Sequence, residues 1–311
     1  MTPLQIYLPI ADLPVNIFLV LGMGIAVGFI SGMFGIGGGF LMTPLLIFIG
    51  VSPAVAVASV SSHIAASSFS GAISYWRRRG IDLALALMLL LGGILGTSAG
   101  VWLFTLLRSL GQLDLTIGLS YVLLLGIVGG LMIVESMRAT MRAREGKPVE
   151  LRRPGSHTWF HGLPFKLRFK QSRIYVSAFP VWGIGFIIGF IGAVMGIGGG
   201  FLLVPMLIYL LRVPTNVVIG TSMVVTLVTM ASATVLHAVT NHLVDALLAL
   251  ILMVGGVTGA QFGARAGQNM PGERIRLMLG LLVLAVGLRF ALELMLRPDD
   301  IFSVRPLEQG L

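Results

Sequence analysis

The chain has 311 residues, of which 56% are hydrophobic and only 11% charged, with a formal net charge of +9 and no cysteine. An average soluble protein carries about 25% charged residues, so this is a membrane composition, and without a thiol the chain has no disulfide, zinc-thiolate or iron–sulfur chemistry of its own. The positive excess does not argue for nucleic acid: ten basic residues between Arg138 and Arg173 face only Glu145 and Glu150, a net of +8 in one segment, and loops rich in Lys and Arg stay on the cytoplasmic side, where the leaflet is anionic.

Met1 to Val15 carries no basic n-region, so no cleaved signal peptide is expected. From Leu13 to Trp76 there is no charged residue, room for at least two spans of about 20 residues. From Ile174 to Val244 the only charge is Arg212. The apolar runs are continuous and lack the roughly ten-residue alternation of a membrane barrel, which predicts helices. Five segments are expected in the first half, near 15–34, 40–50, 54–76, 82–107 and 115–136. Their counterparts fall near 176–195, 201–211, 215–238, 245–264 and 275–296. The second of each set is short: at 1.5 Å per residue it covers about half of a 30 Å hydrocarbon core. The expected organisation is a first transmembrane repeat, 1–137, a basic cytoplasmic linker, 138–174, and a second repeat, 175–311.

The halves match residue by residue. Gly35-Ile36-Gly37-Gly38-Gly39-Phe40-Leu41 recurs as Gly196-Ile197-Gly198-Gly199-Gly200-Phe201-Leu202, an offset of 161 that also carries Pro44 onto Pro205, Pro53 onto Pro214 and Ser61 onto Ser222. At an offset of 163, Asp82 falls on Asp245, and Gly92, Gly93, Gly96 and Gly100 fall on Gly255, Gly256, Gly259 and Gly263. Basic residues set orientation. Arg77, Arg78 and Arg79 follow the third segment, whereas the equivalent turn of the second half, Thr240-Asn241-His242, has none, and its basic turn lies at Arg265, Arg274 and Arg276. Opposite bias in equivalent loops predicts an all-α polytopic membrane protein of two inverted repeats, each with a glycine-broken helix pair. Eight full spans plus two re-entrant pieces is the competing arrangement.

Three glycines in succession interrupt a helix, and in lipid the freed backbone groups are tolerated only where protein buries them or they line a cavity. Each run precedes an apolar segment, so its amides become the N-terminal end of a half-helix, a setting that suits an oxyanion. Gly35, Gly37, Gly38, Gly39, Gly196, Gly198, Gly199 and Gly200 are therefore candidate binding residues, with close helix packing as the alternative. Packing is the preferred reading for the stripe of Gly92, Gly96 and Gly100 and its repeat. Ser59, Ser62, Ser70 and Ser74 recur at helical spacing, and Thr221, Ser222, Thr226, Thr229 and Ser232 mark the counterpart segment. Ser62, together with Ser61 and Ser222, which the repeat pairs, is a candidate for a polar lining without charge, against simple bonding to its own helix. His63, the one ionisable group in its uncharged stretch, is a candidate to bind an anion or carry a proton, against a neutral histidine bonded to a neighbouring helix. Asp82 and Asp245 are expected to cap their helices. No catalytic motif, metal-ligand pattern or nucleotide-binding signature is present, so no enzyme activity and no cofactor is expected.

On the two Gly-Ile-Gly-Gly-Gly-Phe-Leu-x-x-Pro blocks, 35–44 and 196–205, the sequence resembles the sulfite exporter TauE/SafE family of membrane permeases. The resemblance covers 15–136 and 176–296, while the basic insert has no counterpart. It implies movement of sulfite, or sulfonates such as sulfoacetate, across the bacterial inner membrane, with lipid and a small anion as partners. A homodimer is left open, and a membrane scaffold that recruits a partner through its basic loop is the alternative function.

Overall fold

The computed structural model describes residues 5–34, 37–77, 80–144, 165–169, 171–172, 174–211, 213–266 and 272–295. Ten helices and two β-hairpins make up this part of the chain. A hairpin of β1 (Gln5–Leu8) and β2 (Leu13–Asn16) leads into α1 (Ile17–Phe34), α2 (Gly39–Phe48), α3 (Pro53–Arg77), α4 (Leu83–Ser109) and α5 (Leu113–Arg144). A second hairpin, β3 (Lys166–Phe169) and β4 (Ile174–Ser177), leads into α6 (Ala178–Met195), α7 (Gly200–Tyr209), α8 (Thr215–Leu236), α9 (Ala246–Ala266) and α10 (Gly272–Met295). A π-helical turn, His237–Asn241, extends α8.

Five of the helical segments are long and apolar enough to cross a membrane: Leu83–Ser109, Leu113–Val134, Ala178–Met195, Val217–Asn241 and Ala246–Gly263. Their outward faces carry Leu87, Leu91, Trp102, Leu123 and Ile127, all exposed, as expected where lipid is the solvent. The protein is an all-α, multi-pass membrane protein with two small hairpins added. Sequence reading missed these hairpins. Each is a pair of four-residue strands, too short for alternation to stand out, and the two lie 161 residues apart in identical register. The helix α5 and the second hairpin both reach into the 138–174 segment.

Glycine stripes bring helices together. A Cβ on Gly92, Gly96 or Gly100 of α4 would stand 2.0, 2.0 or 2.6 Å from the carbonyl oxygens of Trp182, Phe186 and Phe190 on α6. One on Gly259 or Gly263 of α9 would be 2.1 or 1.9 Å from the carbonyl oxygens of Ile25 and Phe29 on α1. Side chains there would force the backbones apart, so these stripes are packing surfaces, as expected. The other principal pairs are α3 with α8, α3 with α9, α4 with α8, and α5 with α10.

The two aspartates sort the helix ends. Asp82 caps α4 through Leu85 N, at 3.2 Å, and its second oxygen accepts from the N–H and hydroxyl of Ser172 in the β3–β4 turn, at 2.9 and 2.8 Å. Its own N–H donates to Thr221 on α8. Asp245 caps α9 through Leu248 N, at 3.0 Å, accepts from Ile10 N in the β1–β2 turn and donates to Ser59 on α3. At the far end of α4, Thr105 and Arg108 meet Asn241. One end of the bundle thus holds Arg77, Asp82, Ser172 and Arg265, and the other holds Ile10, Ser59, Thr105, Asn241 and Asp245. The short helix α2 turns back to the second end, where Phe48 packs on Phe290 and Gly50 lies beside Leu13. Likewise Leu207 in α7 and Leu211 just beyond it share a cluster with Phe169 and Ile174 of the second hairpin.

Candidate functional site

The glycine runs meet in the middle of the bundle. The first helix of each half stops before its run, at Phe34 and Met195, and the short helix resumes at Gly39 and Gly200. The links need left-handed backbone at Gly37, Gly38, Gly196 and Gly198, with φ of 87°, 65°, 64° and 73°, a region that costs other L-residues roughly 1–2 kcal/mol. A Cβ on Gly39 would lie 2.7 and 2.6 Å from the carbonyl oxygens of Gly196 and Ile197, so one run presses on the other. Thr43 Oγ1 donates to the Gly196 carbonyl at 3.1 Å, and Phe40 stacks on Phe201 with ring centroids 4.5 Å apart. Gly35 lies outside the described residues.

Ile64, from α3, wedges between the runs: its side chain is 3.4 Å from the Cβ position of Gly37 and 2.7 Å from that of Gly198. Beside it, Ser68 Oγ on α3 and Thr226 Oγ1 on α8 are buried hydroxyls with no hydrogen-bond partner. Both residues come within 4.0 Å of the Cβ position of Gly37, and Thr226 Oγ1 lies 3.8 Å from that of Gly199. Leaving a buried hydroxyl unsatisfied costs about 1–3 kcal/mol.

From this point a cavity of about 570 Å3 opens toward one end of the bundle. Ser31, Ser67, Ser68, Ser70 and Ser74 line it along with Gly37, and Arg77 and Arg265, both exposed, also border it. The mouth is cationic and the walls are hydroxyl-rich. Chemically, such a chamber attracts an anion and offers it donors without a buried counter-charge.

The remaining candidates lie elsewhere. Ser61 donates back to Val57 O at 3.0 Å, Ser62 to Ser59 O at 2.6 Å and Ser222 to Ile219 O at 2.9 Å. His63 is buried against α9: Nδ1 is 2.7 Å from Leu252 O, a Cβ on Gly256 would fall 2.0 Å from its Cε1, and Nε2 has no partner. None of these four is among the cavity-lining residues, and of the described candidate glycines only Gly37 is; Gly38, Gly39, Gly196, Gly198, Gly199 and Gly200 are not. Ser67, Ser68 and Ser31 were not selected from the sequence. The i, i+3, i+7 spacing of Ser67, Ser70 and Ser74 was the available signal, since it stripes one face of α3.

A bundle of membrane-crossing helices with a cationic, hydroxyl-lined chamber that reaches the first glycine break defines a membrane transporter of a small anion. The sequence profile described as Sulfite exporter TauE/SafE matches residues 20–290, and the chain belongs to that family. Membership makes it a transporter and not an enzyme. Among its relatives are the probable membrane transporter protein YunE of Bacillus subtilis, 25% identical over 87% of this chain and 96% of the relative, and a probable membrane transporter protein of Xylella fastidiosa, 29% identical over 88% and 94%. Sulfite exporter TauE/SafE family protein 1 of Arabidopsis thaliana is 45% identical over 53 residues, 17% of this chain and 12% of that protein. No solved structure gives a significant match.

Proposed function

We propose that the protein carries a sulfur oxyanion, sulfite or an organosulfonate such as sulfoacetate, across the bacterial inner membrane as a secondary transporter. The observation that carries this reading is the unpartnered Ser68 hydroxyl in the wall of a cavity bordered by Arg77 and Arg265, with the unpartnered Thr226 hydroxyl behind it, beside Gly199. An oxyanion there gives each hydroxyl an acceptor and offsets the cost of its burial. A liquid water occupies about 30 Å3, so the cavity is a vestibule with a small inner site, large enough for sulfite or a short organosulfonate. The sulfur chemistry comes from the family, described as sulfite exporters, and from the name of the Arabidopsis relative.

The two halves are inverted repeats. Exchanging α1–α5 with α6–α10 turns the α1–α9 pair into α6–α4 and the α3–α9 pair into α8–α4, while α3–α8 and α5–α10 map onto themselves. The first half begins at the Asp245 end and finishes at the Ser172 end, and the second half does the reverse. Each half has an odd number of net crossings, because its two broken helices return to the side they entered from. Arg77, Arg265 and the basic 138–174 linker then share the cytoplasmic side, and the vestibule faces the cytoplasm. Alternating access follows from rocking one set of helices against the other around the glycine crossing.

Reconstituted Ser68→Ala/Thr226→Val protein tests the site. Losing two hydrogen bonds of about 1 kcal/mol each raises KM for sulfite roughly tenfold or more, with the melting temperature held or raised because two unsatisfied groups are removed. An unchanged KM would dissociate these hydroxyls from the substrate.

A further inference from the structure

We infer that the π-helical turn His237–Asn241, closing against α4 and α6, is the gate on the side opposite the Arg77–Arg265 mouth. The inference rests on the transport reading above and adds the element that must open for the second half of the cycle. Thr105 and Arg108 lie more than twenty residues along α4 from Asp82, about 35 Å at 1.5 Å per residue, so the turn and the cavity mouth are at opposite ends.

The contacts there satisfy a broken helix end. The last carbonyls of α6 have no partner within their own helix. His237 Nε2 sits 3.1 Å from Ala193 O, and Tyr121 OH donates to Met195 O at 2.7 Å. Phe104 covers the imidazole edge-on, with centroids 4.6 Å apart. Asn241 Nδ2 lies 3.3 Å from His237 Nδ1, which leaves the ring proton on Nε2, facing the carbonyl. Arg108 donates to Asn241 O at 3.0 Å. The Thr105 hydroxyl has two acceptors for its one proton, Asn241 Oδ1 at 3.0 Å and Val101 O on its own helix at 2.9 Å. Release of the turn therefore leaves Thr105 satisfied.

Among the described residues, no counterpart of the His237–Asn241 turn follows α3 at the equivalent break in the first half. At the offset of 163 that pairs Arg77–Arg79 with Thr240–His242, His237 corresponds to Ser74, which lines the cavity, and Tyr121 corresponds to Leu284, which has no donor. Ser31 and Gly32, in the last turn of α1, line the open cavity instead. One break is capped and shut, the other is open. A π turn supplies the motion: it holds one extra residue, and its conversion to α-helix rotates the downstream backbone by about 100°, which carries Asn241 away from Thr105.

The chain has no cysteine, so Ser68→Cys is a single reporter for a membrane-impermeant methanethiosulfonate added to either face of oriented vesicles. In the otherwise unchanged protein, labelling is fast from the Arg77–Arg265 face and slow from the other. Adding Asn241→Ala raises the rate from the opposite face roughly tenfold or more, and retained labelling from the mouth shows that the variant is folded. Thr105→Val, at an exposed position that folding tolerates, raises it in the same direction, and Thr105→Ser restores the slow rate. One-sided labelling in Asn241→Ala, or in Thr105→Val should the first variant misfold, overturns the gate. The readout needs no substrate: if sulfur oxyanions are the wrong cargo, flux is absent even from the unsubstituted protein while labelling still decides the gate.

Discussion

At the scale of single residues, glycine serves two purposes in this chain, and space separates them. Gly39 is pinned where a Cβ would meet backbone carbonyls at 2.6–2.7 Å, whereas Gly22 and Gly126, inside α1 and α5, have nothing within 4 Å of theirs. Gly39→Val is expected to bring flux to background and lower the melting temperature, because backbone cannot move aside as a side chain can. Gly22→Ala is expected to leave flux unchanged and to stabilise the helix by about 0.5–1 kcal/mol. Flux retained in Gly39→Val would mean that the crossing tolerates separation. The consecutive spacing of the runs marked the helix breaks in the sequence but not this contact: Gly39 meets the other run by close packing, the alternative reading, and of the described candidate glycines only Gly37 lines the cavity. The hydroxyls were less legible. Ser61 and Ser68 are both serines on α3, and only the position of α8 and of the glycine break decides that Ser61 bonds to its own helix while Ser68 does not.

At the scale of elements, all ten apolar segments read from hydropathy became helices, most ends falling within three residues of expectation, because glycine, proline and charge punctuate them. The main exception is α5, which continues to Arg144; a Lys- and Arg-rich stretch is as compatible with helix as with loop. The hairpins and the π turn left no such signal. Asp82 and Asp245 show the role of the hairpins, since each caps a helix with one oxygen and grips the opposite half's hairpin turn with the other. Asp82→Asn removes an acceptor and turns an amide toward two donors from Ser172, so a loss of about 1–3 kcal/mol is expected, read as a lower melting temperature in detergent. Ser172→Ala in the Asp82→Asn background adds little further loss if the two act as a pair. Additive losses would separate the cap from the hairpin contact.

At the scale of the whole molecule, duplication was visible at once, but how the duplicates meet was not, since no sequence offset says that α1 packs on α9 or that Phe40 stacks on Phe201. Those contacts bring the two breaks to one point, open to one face through serines and arginines and closed to the other by His237, Tyr121 and Asn241. Saturable uptake of radiolabelled sulfite by proteoliposomes containing the purified protein tests the central claim most directly. The account predicts uptake that saturates, that unlabelled sulfite or sulfoacetate competes for, and that Ser68→Ala/Thr226→Val shifts to higher KM. Folded protein that moves neither anion, or uptake linear in concentration and indifferent to those substitutions, would contradict it.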